Sequence, residues 1–401
     1  MSIADRWLLP DGVKEILPAE ARQIEAFRRK LLNLFDSWGY DLVMPPMIEY
    51  LESLLTGTGN DLALNTFKVT DQLTGRMMGL RADTTPQVAR IDAHSLNQQG
   101  PTRLCYANSV LHTVPANMLT GRSPMQIGAE LYGHAGVASD IEVISLMLEA
   151  LQQAQLNQPL TLDLGHVGIY RVLANKAALS ADDQAELFAL LQKKSLTELD
   201  ALLAKLSLTD QCCNAFRLLS SLNGGEDTIA KARQLLLPDY PEMAPVLDDL
   251  ELIAAAISQR FPAVSLYFDL GELRGYNYHT GVVFAVYIPS YGQPLAKGGR
   301  YDEIGKVFGR ARPATGFSGD LKVLAELAID HARSGRSILA PVGVDTTLQV
   351  KIAELRQQGE RVVQALPAAK TILTEMNCDR ELILRDGDWC VVAVDSSDFE
   401  S

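Results

Sequence analysis

The chain has 401 residues, 47% of them hydrophobic and 21% charged, a composition typical of folded globular proteins and long enough for two or three cores. A formal net charge of −13 argues against general gripping of nucleic-acid phosphates, which requires basic surface. Five cysteines with no C-x-x-C pair and six scattered histidines give no disulfide framework or zinc signature, and point to a reducing cytoplasm. Residues 1–10 lack the order of a signal peptide, and no apolar run is long enough to span a bilayer, so no membrane association is expected.

Ile24, Phe27, Leu31, Leu34, Phe35 and Trp38 recur at three- and four-residue spacing, predicting an amphipathic helix over 19–38 that Gly39 stops. A short strand is expected at 41–44, running into Pro45 and Pro46. Residues 66–70 and 76–80 read as two strands around a turn. Thr85 followed by Pro86 marks a helix start, with a hydroxyl cap and a proline in the first turn. Strands at 103–110 and 125–132 flank a long polar loop. Ser139 and Glu142 have capping-box spacing ahead of an apolar run, and 161–164 returns to strand.

From 170 to about 261 leucine and alanine dominate at helical spacing, which predicts a helical insert. Sheet character resumes at 264–270 and 281–288, and a helix is expected at 318–332. Residues 334–337 read as a linker. Beyond it, apolar runs at 338–342, 361–365 and 390–394 alternate with helical stretches. The expected layout is α+β: a core domain over 1–332, an antiparallel sheet interrupted by helices, and a small C-terminal α/β domain over 338–401.

Four stretches could carry binding chemistry, and each has a plainer structural reading. Arg274-Gly275-Tyr276-Asn277-Tyr278-His279-Thr280-Gly281 is a polar turn leading into β-formers, able to hold a carboxylate and pack a flat ring. Lys297-Gly298-Gly299-Arg300-Tyr301-Asp302 allows close backbone approach beside a cation, or is a hairpin turn with surface charge. Arg274, Lys297, Arg300, Lys306, Arg310 and Arg312 form a basic cluster in an acidic chain, either a solvated face or an anion site. Asp83, just before a helix start, can cap it or accept from a ligand ammonium group. Alternation over 125–132 puts Gln126, Gly128, Glu130 and Tyr132 on one strand face, opposite Ile127, Ala129 and Leu131.

The order and spacing of these stretches resemble the histidyl-tRNA synthetases, a class II synthetase family, over about residues 5–332. The resemblance implies that Asp83, where the family has a glutamate, holds a ligand α-amino group with Thr85 and Gln126. It likewise implies that Glu130 reads an imidazole, that Arg274 lies near the carboxylate, and that Tyr278 and Tyr301 line the pocket. His279 departs from a second tyrosine of the family. The catalytic arm does not carry over. His112 stands at the arginine that grips the ATP α-phosphate, Val114 at the glutamate that reads adenine, and Val323 at the motif 3 arginine. Losing one preorganised donor of this kind costs on the order of a hundred- to a thousand-fold in rate.

A synthetase-like fold with a histidine pocket and no ATP chemistry resembles the regulatory subunits of ATP phosphoribosyltransferase. That resemblance implies a non-catalytic chain without cofactor or metal, in a hetero-oligomer with the short-form catalytic subunit. It also implies self-association and L-histidine as effector. The tail is shorter than an anticodon-binding domain, and Asp386, Asp388, Asp395, Asp398 and Glu400 would repel tRNA. An active histidyl-tRNA synthetase is the alternative that His112, Val114 and Val323 disfavour.

Overall fold

The computed structural model describes residues 7–56, 60–115, 121–206, 208–272, 278–328, 337–368, 373 and 375–394. Two units divide the chain, Met1–Ile329 and Asp330–Ser401.

Among the described residues the first unit is built on twelve strands: β1 (Asp41–Leu42), β2 (Ile48–Tyr50), β3 (Phe67–Thr70), β4 (Met77–Leu80), β5 (Thr102–Ser109), β6 (Met125–Tyr132), β7 (Thr161–His166), β8 (Asn223–Gly224), β9 (Ser265–Asp269), β10 (Val282–Ile288), β11 (Tyr291–Arg300) and β12 (Ala314–Asp320). Nine of them form one sheet in the order β1-β5-β6-β12-β11-β10-β7-β9-β8, while β2, β4 and β3 form a small separate sheet. The large sheet is antiparallel from β5 to β7, with parallel pairings of β1 to β5 and β7 to β9. The β7–β9 pairing has a topological cause, because parallel neighbours need a long crossover. The insert supplies it, running as helices from Val167–Lys176 to Ala244–Arg260, with the short β8 inside it.

Period-two alternation places the core. Ile127, Ala129 and Leu131 of β6 join Ile24, Phe27, Leu31 and Phe35 of the helix Pro18–Ser37 and the apolar face of the helix Val137–Gln152. Phe35 meets Phe317 of β12 edge-on at 6.0 Å between ring centroids. Burial of each such side chain is worth about 1.5–3 kcal/mol, so one sheet face is fixed against helices and the other is left for Gln126, Gly128 and Glu130. The first helix ends where expected, with Gly39 at φ +79°, a conformation that disfavours side chains bearing a Cβ.

Some local expectations are corrected. Ser139 is not an N-cap, since the helix already begins at Val137. The Ser139 hydroxyl instead accepts from Arg300, and Glu142 binds Arg103. Thr85 does not cap its helix. Its hydroxyl lies 3.1 Å from that of Tyr106, and Asp83 Oδ1 accepts from the Thr85 amide. Residues 318–320 are the end of β12 and the helix begins only at Leu321, running to Leu327, because pairing with β6 continues as far as Asp320; residues 329–332 of the expected helix lie outside the described residues. The stretch 297–300 is a strand, not a turn. Its glycines sit where a Cβ would meet the Gly316 carbonyl or the His279 ring.

The second unit has a four-stranded sheet in the order β14-β13-β15-β16, from β13 (Ser337–Ala340), β14 (Val362–Gln364), β15 (Cys378–Arg385) and β16 (Asp388–Ala393). Leu348, Ile352 and Leu355 of the helix Thr346–Gln357 pack on Ile338, Ala340, Val362 and Leu382. Among the described residues no helix is long and apolar enough to cross a membrane.

Candidate functional site

On the sheet face away from the long helices, register aligns three rows of side chains. The middle row runs Tyr106, Gly128, Ser318, Lys297, Ala285 and Asp163 across β5, β6, β12, β11, β10 and β7. Two residues along each strand, Glu130, Gly316 and Gly299 form the second row. Two residues the other way, Gln126 and Asp320 face each other in the third.

Glu130 and Gly316 of the second row, with Ser318, Lys297, Ala285 and Asp163 of the middle row, line a cavity of about 220 Å³ whose wall also includes Asp83, Thr85, Tyr278, His279 and Tyr301. Glu130 is 1% exposed and accepts from two phenols, Tyr106 at 3.0 Å and Tyr301. Burial raises its pKa to about 8 even though those two donors pull it down. Burial also pushes the phenols of Tyr106, Tyr278 and Tyr301 well above their usual range. A buried carboxyl rimmed by phenols suits a ring that presents an N–H and can carry positive charge. Gly316 makes room for that carboxyl, because any Cβ there would overlap it.

Beside the cavity Gln126 ties a second group together. Its Nε2 donates to Asp83 Oδ1 at 2.8 Å and to Ser318 Oγ at 3.3 Å, and its Oε1 accepts from the Thr84 amide. Asp83 thus stands at the helix start beside Thr85, an acceptor placed for an ammonium group. Tyr278 stacks on Tyr301 with centroids 5.0 Å apart and meets His279 edge-on at 5.3 Å. The His279 ring packs against Gly299, and burial lowers its pKa to about 4; its Nδ1 and the Tyr278 hydroxyl have no hydrogen-bond partner among the described residues. Arg171, from the first insert helix, holds the backbone here by donating to the carbonyls of His279 and Thr280.

The structure therefore gathers Asp83, Thr85, Glu130, Tyr278, His279 and Tyr301 around one cavity. Gln126 lines the neighbouring one and reaches Asp83 from there. Arg274 lies outside the described residues. Sequence reasoning missed Tyr106, although alternation along β5 places it beside Leu104 and Asn108 on the Glu130 face. Lys297, an exposed cation lining both cavities, was seen only as part of a cluster.

That basic cluster does not exist as a unit. Arg300 is buried and bonded to Asp140 at 2.9 Å, and Arg312 is buried against Asp92 at 2.8 Å. Arg310 binds Asn97 and the Gln98 carbonyl, and Lys306 pairs with Glu303. Both guanidinium groups are thus taken up by buried carboxylates, and among the described residues of the cluster Lys297 is the one that lines the cavities.

The neighbouring cavity, about 200 Å³, contains His112 and Val323 in its wall. Val114 is 59% exposed and is not part of that wall. His112 Nε2 is engaged by the Ala82 carbonyl at 2.9 Å. Neither His112 nor Val323 can supply the bidentate, permanently charged fork that a phosphate demands.

Comparison with known proteins gives the family. Residues 12–324 match the family described as histidyl-tRNA synthetase, and residues 335–392 match the ATP phosphoribosyltransferase subunit HisZ C-terminal domain. An ATP phosphoribosyltransferase regulatory subunit from Pseudomonas paraeruginosa is 54% identical over 400 residues, covering 99% of this chain and 100% of that protein. A solved ATP phosphoribosyltransferase regulatory subunit/histidyl-tRNA synthetase from Bacillus halodurans superposes with a TM-score of 0.80 at 28% identity, covering 94% of this chain and 97% of that one. The fold is also shared with a chain of an ATP phosphoribosyl transferase (HisG:HisZ) complex from Thermotoga maritima, at a TM-score of 0.57 and 19% identity, over 74% of this chain and 96% of that one. With its synthetase-like core, its own kind of C-terminal domain and a relative matched from end to end, this chain belongs to the family of ATP phosphoribosyltransferase regulatory subunits.

Proposed function

We propose that the chain is a non-catalytic regulatory subunit. It assembles in the cytoplasm with a short-form ATP phosphoribosyltransferase catalytic subunit, supports its activity, and brings L-histidine control to the first step of histidine biosynthesis. One observation carries this reading. The first cavity holds carboxyls and phenols, with the Gln126 amide reaching Asp83 from the adjacent cavity, and that adjacent cavity has His112 and Val323 where phosphate chemistry would call for arginines.

In this reading Asp83, Thr85 and Gln126 hold the histidine ammonium group, Glu130 with Tyr106 and Tyr301 reads the imidazole, and Tyr278 and His279 close over the ring. Arg274 and Lys297 are the cations for its carboxylate. Coupling of this kind between two sites is typically about 1–3 kcal/mol, so a small rearrangement at a subunit interface suffices. The test mixes the purified chain with a short-form catalytic subunit. Co-elution in gel filtration and a rise in phosphoribosyltransferase rate are expected. Separate elution with an unchanged rate would overturn the proposal.

A further inference from the structure

The two cavities lie side by side on the sheet, and the residues common to both linings are Lys297 and Ser318. These two face each other across β11 and β12 in the middle row. They mark the boundary between Glu130, one row away, and Asp320, one row away on the other side. Lys297 is exposed, and it is the only lysine or arginine in either lining among the described residues.

A bound amino acid has three directions to satisfy. With its ring at Glu130 and its ammonium at Asp83, its carboxyl end is drawn to Lys297, at the mouth of the second cavity.

That second cavity is poorly suited to charge. Val110, Pro124, Pro294, Leu295 and Val323 supply apolar wall. Its polar members are largely engaged inward. His112 is bound to the Ala82 carbonyl, and Asp320 Oδ1 accepts from the amides of Met125 and Lys322. A chain of phosphates would meet one ammonium group and the Asp320 carboxyl. An uncharged apolar group would meet matching surface, worth about 25 cal/mol for each Å² removed from water.

Resting on the reading of the first cavity as a histidine pocket, we propose that the two cavities form one channel. It accepts histidine derivatives extended through the carboxyl group by an uncharged apolar substituent, such as histidyl amides and C-terminally amidated histidyl peptides. Histidine occupies half of this channel. The extended ligand fills both halves and passes the Ser318–Lys297 row, where Gln126 gives up its 3.3 Å bond to Ser318.

The test is calorimetry on the full chain with L-histidine, L-histidyl-L-leucinamide and L-alanyl-L-leucinamide. The histidyl amide is expected to bind within ten-fold of histidine or tighter, and the alanyl amide at least a hundred-fold weaker. Val323→Trp, which fills the second cavity, is expected to weaken the histidyl amide at least ten-fold and histidine less than two-fold. Gln293→Trp, at an exposed position of the same wall, serves as a second blocking variant if Val323→Trp does not fold. Histidine binding with no detectable histidyl amide binding overturns the channel and leaves the histidine pocket standing. Equal weakening of both ligands by the blocking variants also overturns it. Failure of both ligands to bind the unmodified chain overturns the pocket itself, and the channel with it.

Discussion

The Tyr106 hydroxyl donates to Glu130 Oε1 at 3.0 Å between neighbouring strands, with both side chains buried. Tyr301 donates to the other oxygen, so the carboxyl has a built partner on each side before any ligand arrives. That geometry, set in low dielectric, gives the pocket a group that changes charge near physiological pH.

Stability should record that group. Glu130 has its pKa raised to about 8 in the fold, against 4.5 when free. Its contribution is therefore fully present below about 4.5 and is lost as pH rises through 8. His279, lowered to about 4, works in the opposite sense, contributing above 6.5 and losing that contribution as pH falls through 4. Between pH 6.5 and 8 the Glu130 effect dominates, and comparison with Glu130→Gln cancels what His279 and His166, both lowered to about 4, still add. Relative to Glu130→Gln, the unmodified chain should lose about 2 kcal/mol across that window, measured by urea unfolding at several pH values. Parallel curves for the two proteins would contradict the buried proton.

Gly316→Ala tests the space kept for the Glu130 carboxyl. The added methyl would overlap that group and crowd the Ala129 carbonyl, and overpacking of this kind costs about 1–3 kcal/mol. Histidine affinity should fall at least ten-fold. Gly292→Ala, where nothing lies within 4 Å of a new Cβ, should change neither stability nor affinity by calorimetry and urea unfolding.

Arg300 belongs to the fold. Its guanidinium donates to Asp140, Ser139 and the carbonyls of His134 and Gly136. Arg300→Met should destabilise the chain by about 3–5 kcal/mol by leaving Asp140 buried without its partner, and adding Asp140→Asn should recover part of that loss. A variant of normal stability that loses only ligand affinity would return Arg300 to the binding site.

The family resemblance and the site differ in how far residues alone exposed them. Helix Pro18–Ser37 and strand β6 were plain because a 3.6 period and a two-residue period are properties of local sequence. Glu130 could be placed on a strand face, but its burial depends on Tyr106 of β5, Gly316 of β12 and Tyr301 just beyond β11, which are far apart in sequence. Nothing local distinguishes Arg300, locked to Asp140 from 160 positions away, from Lys297, which is exposed three residues earlier. In the second unit β15 went unread because its Cys378–Arg385 run mixes charged and apolar residues. Asp386 and Gly387, with φ of 52° and 90°, are the two-residue hairpin signal that would have revealed it.

His112 and Val323 make a further expectation concrete. Histidine-dependent ATP–pyrophosphate exchange should stay at background for the unmodified chain, since by the resemblance to histidyl-tRNA synthetases His112 and Val323 stand where phosphate-binding arginines are expected, and each such donor is worth on the order of a hundred- to a thousand-fold. Exchange at a synthetase-like rate would restore the enzymatic alternative.

The proposed control is exerted by histidine, bound among Asp83, Glu130 and Tyr301, on a partner's activity. Its most direct measurement is the histidine inhibition curve of the assembled phosphoribosyltransferase complex containing either the unmodified chain or Asp83→Ala. The account predicts that the variant still assembles and still supports the uninhibited rate, while half-inhibition moves to at least ten-fold higher histidine. An unshifted curve with the variant incorporated would contradict it.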